Sequence, residues 1–392
     1  MIAYNELKFS NLLLLDQLKR WKRAGLLDAA MLSAIAIQKA ETYKHTNIFL
    51  RIGVFILTMI LSWSITGIAF LFFDLDSEIV IGVAMIFFGL LFGAALEFFI
   101  RKKSAFCSGV DDALLYFSAT GIIVGIAIVF QLYKTNSPEL YHSILICLAL
   151  MPAAIRYVDR FLALLSYIAV FCVFFFGIPH WFGMNIAKLV LPFFTMALSI
   201  SFYMLFARWQ KRFELRFYKH CLMWLSYAAL FSFYAGGNYY VVRELSTSYF
   251  DIDLKPGQDI PLAWFFQLFT VLVPVVLIAL GLKNKNKPMI ISGLILCAAA
   301  VATIRYYYSV MPVEWALTLG GLAMILVAVI AHYFFRKKTT GITYEEDVTD
   351  DPLISRDLEA IFIAQVLRKQ MPDKTTEFGG GEFGGGGAGS TI

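Results

Sequence analysis

A carboxylate inside a long apolar run is the first place to look for chemistry, and Glu97 sits in such a run over 79–100. An ionisable group at membrane depth is costly, so it is expected to face protein or a polar cavity and to have a function. Gly82, Gly89 and Gly93 precede Glu97 at steps of seven and four residues, which brings all four near one helical face. Gly89-xxx-Gly93, echoed by Gly121-xxx-Gly125 in the next run, lets helices approach closely. Glu97 therefore points toward protein. It serves either in a small-solute path, or in an interfacial pair with Arg101 one turn later. Arg156 and Arg305 complete the set of candidate polar intramembrane positions. They stand in Ala154-Ile155-Arg156-Tyr157 and Thr303-Ile304-Arg305-Tyr306, at the ends of the fourth and ninth apolar runs. An odd number of spans apart, they mark opposite membrane faces. Either they are repeat-related, as an inverted 5+5 arrangement with a transporter-like midplane site would require, or they are two independent interface arginines.

Other chemistries find no support. His45, His142, His180, His220 and His332 are scattered, and no His-Glu-x-x-His spacing occurs. Asp251-x-Asp253 lacks the remainder of a calcium loop, since Lys255 takes the next ligand position. Cys107, Cys147, Cys172, Cys221 and Cys297 form no CxxC pair and read as buried small hydrophobes. There is no nucleophile elbow, Walker A loop or dinucleotide fingerprint. No catalytic residue, metal site or cofactor is predicted, and the chain reads as a non-enzyme.

The elements that must position these residues follow from composition. Hydrophobic residues make up 59% of the 392 and charged residues 16%, with a mean hydropathy of +0.72. A soluble globule carries about 25% charged residues. The surplus apolar surface needs lipid to cover it, so the bilayer is the first predicted partner. Runs of about 20 apolar residues cross a bilayer as a helix. They fall near 52–73, 79–100, 112–130, 141–158, 161–179, 189–207, 221–241, 262–282, 288–304 and 315–335. The predicted fold is all-α, a polytopic membrane bundle of about ten spans. Pro152 and Arg156 interrupt the fourth, which with the fifth could form one re-entrant unit. All but Lys134, Lys188, Arg243, Lys255 and Arg305 of the 33 Lys and Arg then fall on one side of the membrane. Basic loops mark the cytoplasm, so both termini are expected there. That distribution also accounts for the net charge of +5 without nucleic acid. Trp181, Trp209, Trp264 and Trp315 lie at run ends, as belt residues do.

Three parts result. Residues 1–47 form an amphipathic helical hairpin, with Leu14, Leu18 and Trp21 on one side and basic 19–23 on the other. It packs on itself or lies on an anionic leaflet. Residues 48–338 are the transmembrane domain. Residues 339–392 are a cytosolic tail with an acidic stretch and one amphipathic helix after Asp351-Pro352. A Gly-rich end follows, too poor in apolar groups to order itself. The tail's apolar stripe calls for cover by the membrane domain or a protein partner.

Leu18-Lys-Arg-Trp21-Lys-Arg-Ala-Gly25-Leu26-Leu27 resembles the N-terminal hairpin of the bacterial "domain of unknown function 2157" family of membrane proteins. Arg305-Tyr306-Tyr307 with Gly320-Gly321 is similar to that family's distal Arg-Tyr hairpin. The resemblance covers some 75 residues at the two ends. It implies a bacterial inner-membrane location and brings no activity with it. The expected function is small-solute transport; the alternative is a scaffold or sensor acting through the cytosolic ends.

Overall fold

The computed structural model describes residues 2–23, 43, 47–72, 77–103, 106–131, 137–250 and 259–307, with scattered positions between 314 and 333. The second hairpin helix, most of the tenth run, Asp251, Asp253 and the whole C-terminal tail lie outside the described residues. The chain divides into two units, Met1–Glu346 and Asp347–Ile392, and every described residue belongs to the first.

Among the described residues the fold is helical, without strands. In chain order come α1 (Glu6–Arg23), α2 (Ile48–Phe70), α3 (Glu78–Lys103), α4 (Val110–Gln131), α5 (Pro138–Tyr157) and α6 (Arg160–Phe182). Then follow α7 (Met184–Trp209), a short 3-10 helix (Phe213–Tyr218), α8 (Lys219–Gly237), α9 (Tyr239–Ser248), α10 (Ala263–Lys283) and α11 (Lys287–Tyr307). Eight of these are long and apolar enough to cross a bilayer: α2 to α7, α10 and α11. This is the construction of a multi-pass membrane protein. Its surface agrees: in α2 the buried residues are Ser62 and Thr66, while Phe49, Ile56 and Trp63 are exposed. A helix that buries two hydroxyls and turns its large apolar groups outward is built for lipid.

The fourth and fifth runs are separate helices. Pro138 occupies the first turn of α5, where its missing N–H is no loss. Val158 adopts a left-handed φ of 53° that ends α5, and Asp159 caps α6 by accepting from the Leu162 N–H at 2.8 Å. The seventh run departs from its expected bounds: α8 ends at Gly237, and 239–248 is a further helix, not part of a long loop. Asn238 makes the break, because its side chain accepts from the Val241 N–H and starts α9. α8 is not among the eight, and its place in the bundle accommodates its polar groups. It packs against α6, α7, α10 and α11, so protein shields Ser226 and Tyr234 from lipid.

α4 plays the equivalent central part among the earlier helices, touching α2, α3 and α5. A Cβ on Gly125 would lie 2.6 Å from the Gly82 carbonyl oxygen, and one on Gly89 2.9 Å from that of Ser118. α3 and α4 thus meet backbone to backbone along Gly82, Gly89, Gly121 and Gly125.

The first residues of the chain pack on one end of this bundle. Tyr4 and Phe9 are buried with Leu96, Ile100, Leu115, Val158, Leu162 and Cys221. That end, here the basal face, carries the C-termini of α3 and α5 and the N-termini of α4 and α6.

Candidate functional site at the basal face

Glu97 lies in the last two turns of α3, four residues beyond Gly93, at the basal end of the helix. Its Oε1 accepts from Arg156 Nε at 2.5 Å and from the Tyr157 hydroxyl at 2.9 Å. Its Oε2 stands 3.7 Å from the Arg101 guanidinium. The expected partner Arg101 is therefore present, but Arg156 on α5 is the closer one. The pair is partly solvated, with side-chain exposures of 42% for Arg156 and 22% for Glu97. α3 and α5 flank α4, and this three-residue clasp ties them together across it.

Arg305 does not join the clasp. It ends α11 at the opposite face, near the bond between Asn238 and Thr303. A second polar network lies there: Tyr239 donates to Asp259 at 2.8 Å and accepts from Arg243 at 2.7 Å. The Tyr239 backbone N–H donates to Thr270 Oγ1, joining α9 to α10. The sequence reading missed this network, although Gly236-Gly237-Asn238 signals a helix break there.

Beside the clasp runs a second basal set. Arg51 on α2 donates to Asp112 on α4 at 2.8 Å and forms a 2.7 Å ion pair with it. Gly109 permits the approach: its φ is +95°, and a Cβ there would collide with the Arg51 carbonyl oxygen. Asp111 accepts from the Ser108 N–H and hydroxyl, and Tyr116 donates to Asp159 at 3.1 Å. Each carboxylate is thus engaged as a cap or a partner. Among the described residues they do not gather into a metal-ligand set.

The N-terminal segment closes over both sets. The Ala3 N–H donates to the Arg156 carbonyl oxygen at 2.8 Å, and the Asn5 N–H to the Tyr43 hydroxyl at 2.7 Å. Phe106, in the turn between α3 and α4, packs edge-on against Tyr4 and Phe9 with ring centroids 4.9 and 4.8 Å apart. Arg216 of the 3-10 helix donates to the Ser10 hydroxyl at 3.2 Å. Tyr4 has its hydroxyl pushed well above the usual tyrosine range, first by burial and then by the field of Asp111, Cys107 and Asp112. Burial likewise pushes the half-buried Cys107 thiol up to about 12.

Above the clasp, between α3, α4, α5 and α6, a crevice encloses about 50 Å³. Gly93, Leu96, Ala119, Ala149, Ala153 and Tyr157 are among its lining residues. The Tyr157 hydroxyl links it to Glu97.

No family model matches the chain, and no curated protein or solved structure matches it either.

Proposed function

We propose that this multi-pass membrane protein is a scaffold or sensor in which the N-terminal helix is coupled to the membrane bundle through Arg156. One observation carries the reading. Arg156 accepts the Ala3 N–H with its backbone and holds Glu97 with its side chain. Any movement of α3 against α5 thereby reaches the segment docked on the basal face. The exposed Lys19 and Lys22 on α1 suit contact with an anionic leaflet when that segment is released. The C-terminal tail, as a site for a protein partner, belongs to the same reading. Spin labels at Leu7→Cys and Lys102→Cys, in a background without other cysteines and in nanodiscs, test it. Native protein is expected to give one narrow distance distribution, broadened by Glu97→Gln; an unchanged distribution counts against the coupling.

A second reading is a small-solute permease, favoured by the crevice that adjoins Glu97. Ligand pockets commonly occupy ~300–1,000 Å³, so on this reading the crevice widens when the clasp opens. It takes ten spans: the eight apolar helices, α8 and the run 315–335. Arg156 and Arg305, at opposite ends of the bundle, support its inverted 5+5 arrangement. Both readings keep the termini in the cytoplasm of a bacterial inner membrane, supported by the partition of Lys and Arg and by the resemblance of the end segments. Uptake of a solute by reconstituted vesicles, abolished by Glu97→Gln, would establish the permease in place of the scaffold.

A further inference from the structure

The crevice between α3 and α5 has a floor and two walls. Through its lining residue Tyr157, which bonds Glu97, it leads to a sill of charged residues at the basal end of α3. Leu115, Ala119 and Ile122 of α4 form the floor, with Gly93 and Ala149 on the walls. It is partly open. The helices that wall it carry the exposed apolar side chains Leu90, Leu148 and Met151, so this flank of the bundle borders acyl chains. At the sill, Arg101, Lys102 and Lys103 are all exposed. Glu97, the carboxylate at the sill, is already held by Arg156. The Arg101 guanidinium is 76% exposed and 3.7 Å from Glu97, which leaves most of its five donors to spare. Lys102 Nζ sits 5.3 Å from the centre of the exposed Phe98 ring, as a cation at the boundary of headgroup and hydrocarbon does.

We infer that this is a binding site for an anionic phospholipid. One acyl chain enters the crevice between α3 and α5, and the phosphate rests on Arg101 and Lys102. Neither half suffices alone. A mainly apolar crevice accepts any chain, and three exposed cations accept any phosphate. Together they select a phosphate joined to a long chain. The site is separate from the basic stretch 19–23, and it stands whichever proposed function holds.

The full-length protein in neutral detergent micelles tests this by thermal unfolding under added lipid. Long-chain phosphatidylglycerol is expected to raise the midpoint in a saturable way, with phosphatidylcholine and glycerol 3-phosphate ineffective. Arg101→Gln and Lys102→Gln should each weaken the apparent affinity about five-fold, the effect of one basic side chain near an anionic headgroup. Ala149→Phe, which fills the crevice, should remove the requirement for a long chain. Equal stabilisation by phosphatidylcholine, or by glycerol 3-phosphate, would overturn the proposal. So would full affinity in the Arg101→Gln/Lys102→Gln double variant, whose exposed positions leave folding intact if Ala149→Phe does not fold.

Discussion

Ala3 and Arg156 are joined backbone to backbone by a 2.8 Å hydrogen bond, although 153 positions separate them in the chain. The bond places the first residues of the protein on the same α5 turn whose guanidinium and neighbouring tyrosine grip Glu97. A docked segment and an interhelical ion pair therefore share one residue.

Glu97→Gln keeps the shape of the side chain and removes its charge, so Arg156 and Tyr157 lose a charge-assisted acceptor. The pair is partly solvated, which limits the loss to about 1 kcal/mol, the upper end for a solvated ion pair. Arg156→Gln should cost a similar amount, and the two together much less than the sum. Thermal unfolding of the four proteins in one detergent gives the coupling directly. Strict additivity would show that the clasp contributes nothing.

Gly125 and Gly67 should respond oppositely to added bulk. A Cβ on Gly125 would press on the Gly82 carbonyl and on Ile86, both fixed in the α3–α4 contact. Gly125→Leu is expected to destabilise by about 1–3 kcal/mol through overpacking. Gly67, within α2, has open space around it. Gly67→Ala should stabilise by about 0.5–1 kcal/mol, because a helical glycine loses more conformational freedom on folding. Denaturation midpoints that move in the same direction for both variants would contradict this packing.

Much of this arrangement can be read in the chain, and the divide between what is legible and what is not is physical. Periodicity within one helix puts Gly82, Gly89, Gly93 and Glu97 on a common face and Arg101 within reach of Glu97. It says nothing of Arg156, 59 positions away, because pairing across helices depends on packing. The stripe of Leu14 and Leu18 shows that something covers α1; only tertiary structure shows that Leu18 is fully buried and Tyr4 and Phe9 packed on the bundle. Hydropathy likewise finds the run that becomes α8 but carries it past Gly237, because the break depends on the Asn238 cap. The far-side network was hidden because Arg243 and Asp259 read as loop charges until Asn238 starts a helix that carries Arg243.

Cys107 should be a slow nucleophile. Burial raises its thiol to about 12 from an ordinary value near 9, so the thiolate fraction at neutral pH falls on the order of a thousand-fold. In a variant whose other cysteines are replaced by Ala, maleimide should label folded protein far more slowly than denatured protein. The folded rate should climb steadily with pH through the alkaline range. Because Phe106 packs under Phe9, Phe9→Asp should expose the turn and accelerate labelling at fixed pH. Equal rates with and without denaturant would sink this account of the basal face.

Docking of the N-terminal segment should weaken in alkali, and Tyr4 sets the sign. Burial and the fields of Asp111 and Asp112 raise the Tyr4 hydroxyl above its ordinary value when the segment is docked. The docked state thus favours the protonated phenol, while a released Tyr4 ionises near its usual pKa of about 10. The stabilisation is complete below that value and is lost progressively as the pH rises above it toward the raised docked value. A spin label at Leu7→Cys, on the exposed side of α1, should be immobilised at pH 8 and gain mobility above about pH 10. Tyr4→Phe retains the ring that packs on Phe106 and removes the ionisable group. Its label should stay immobilised through the same range, and a mobility change equal to that of the native chain would show that another group governs release.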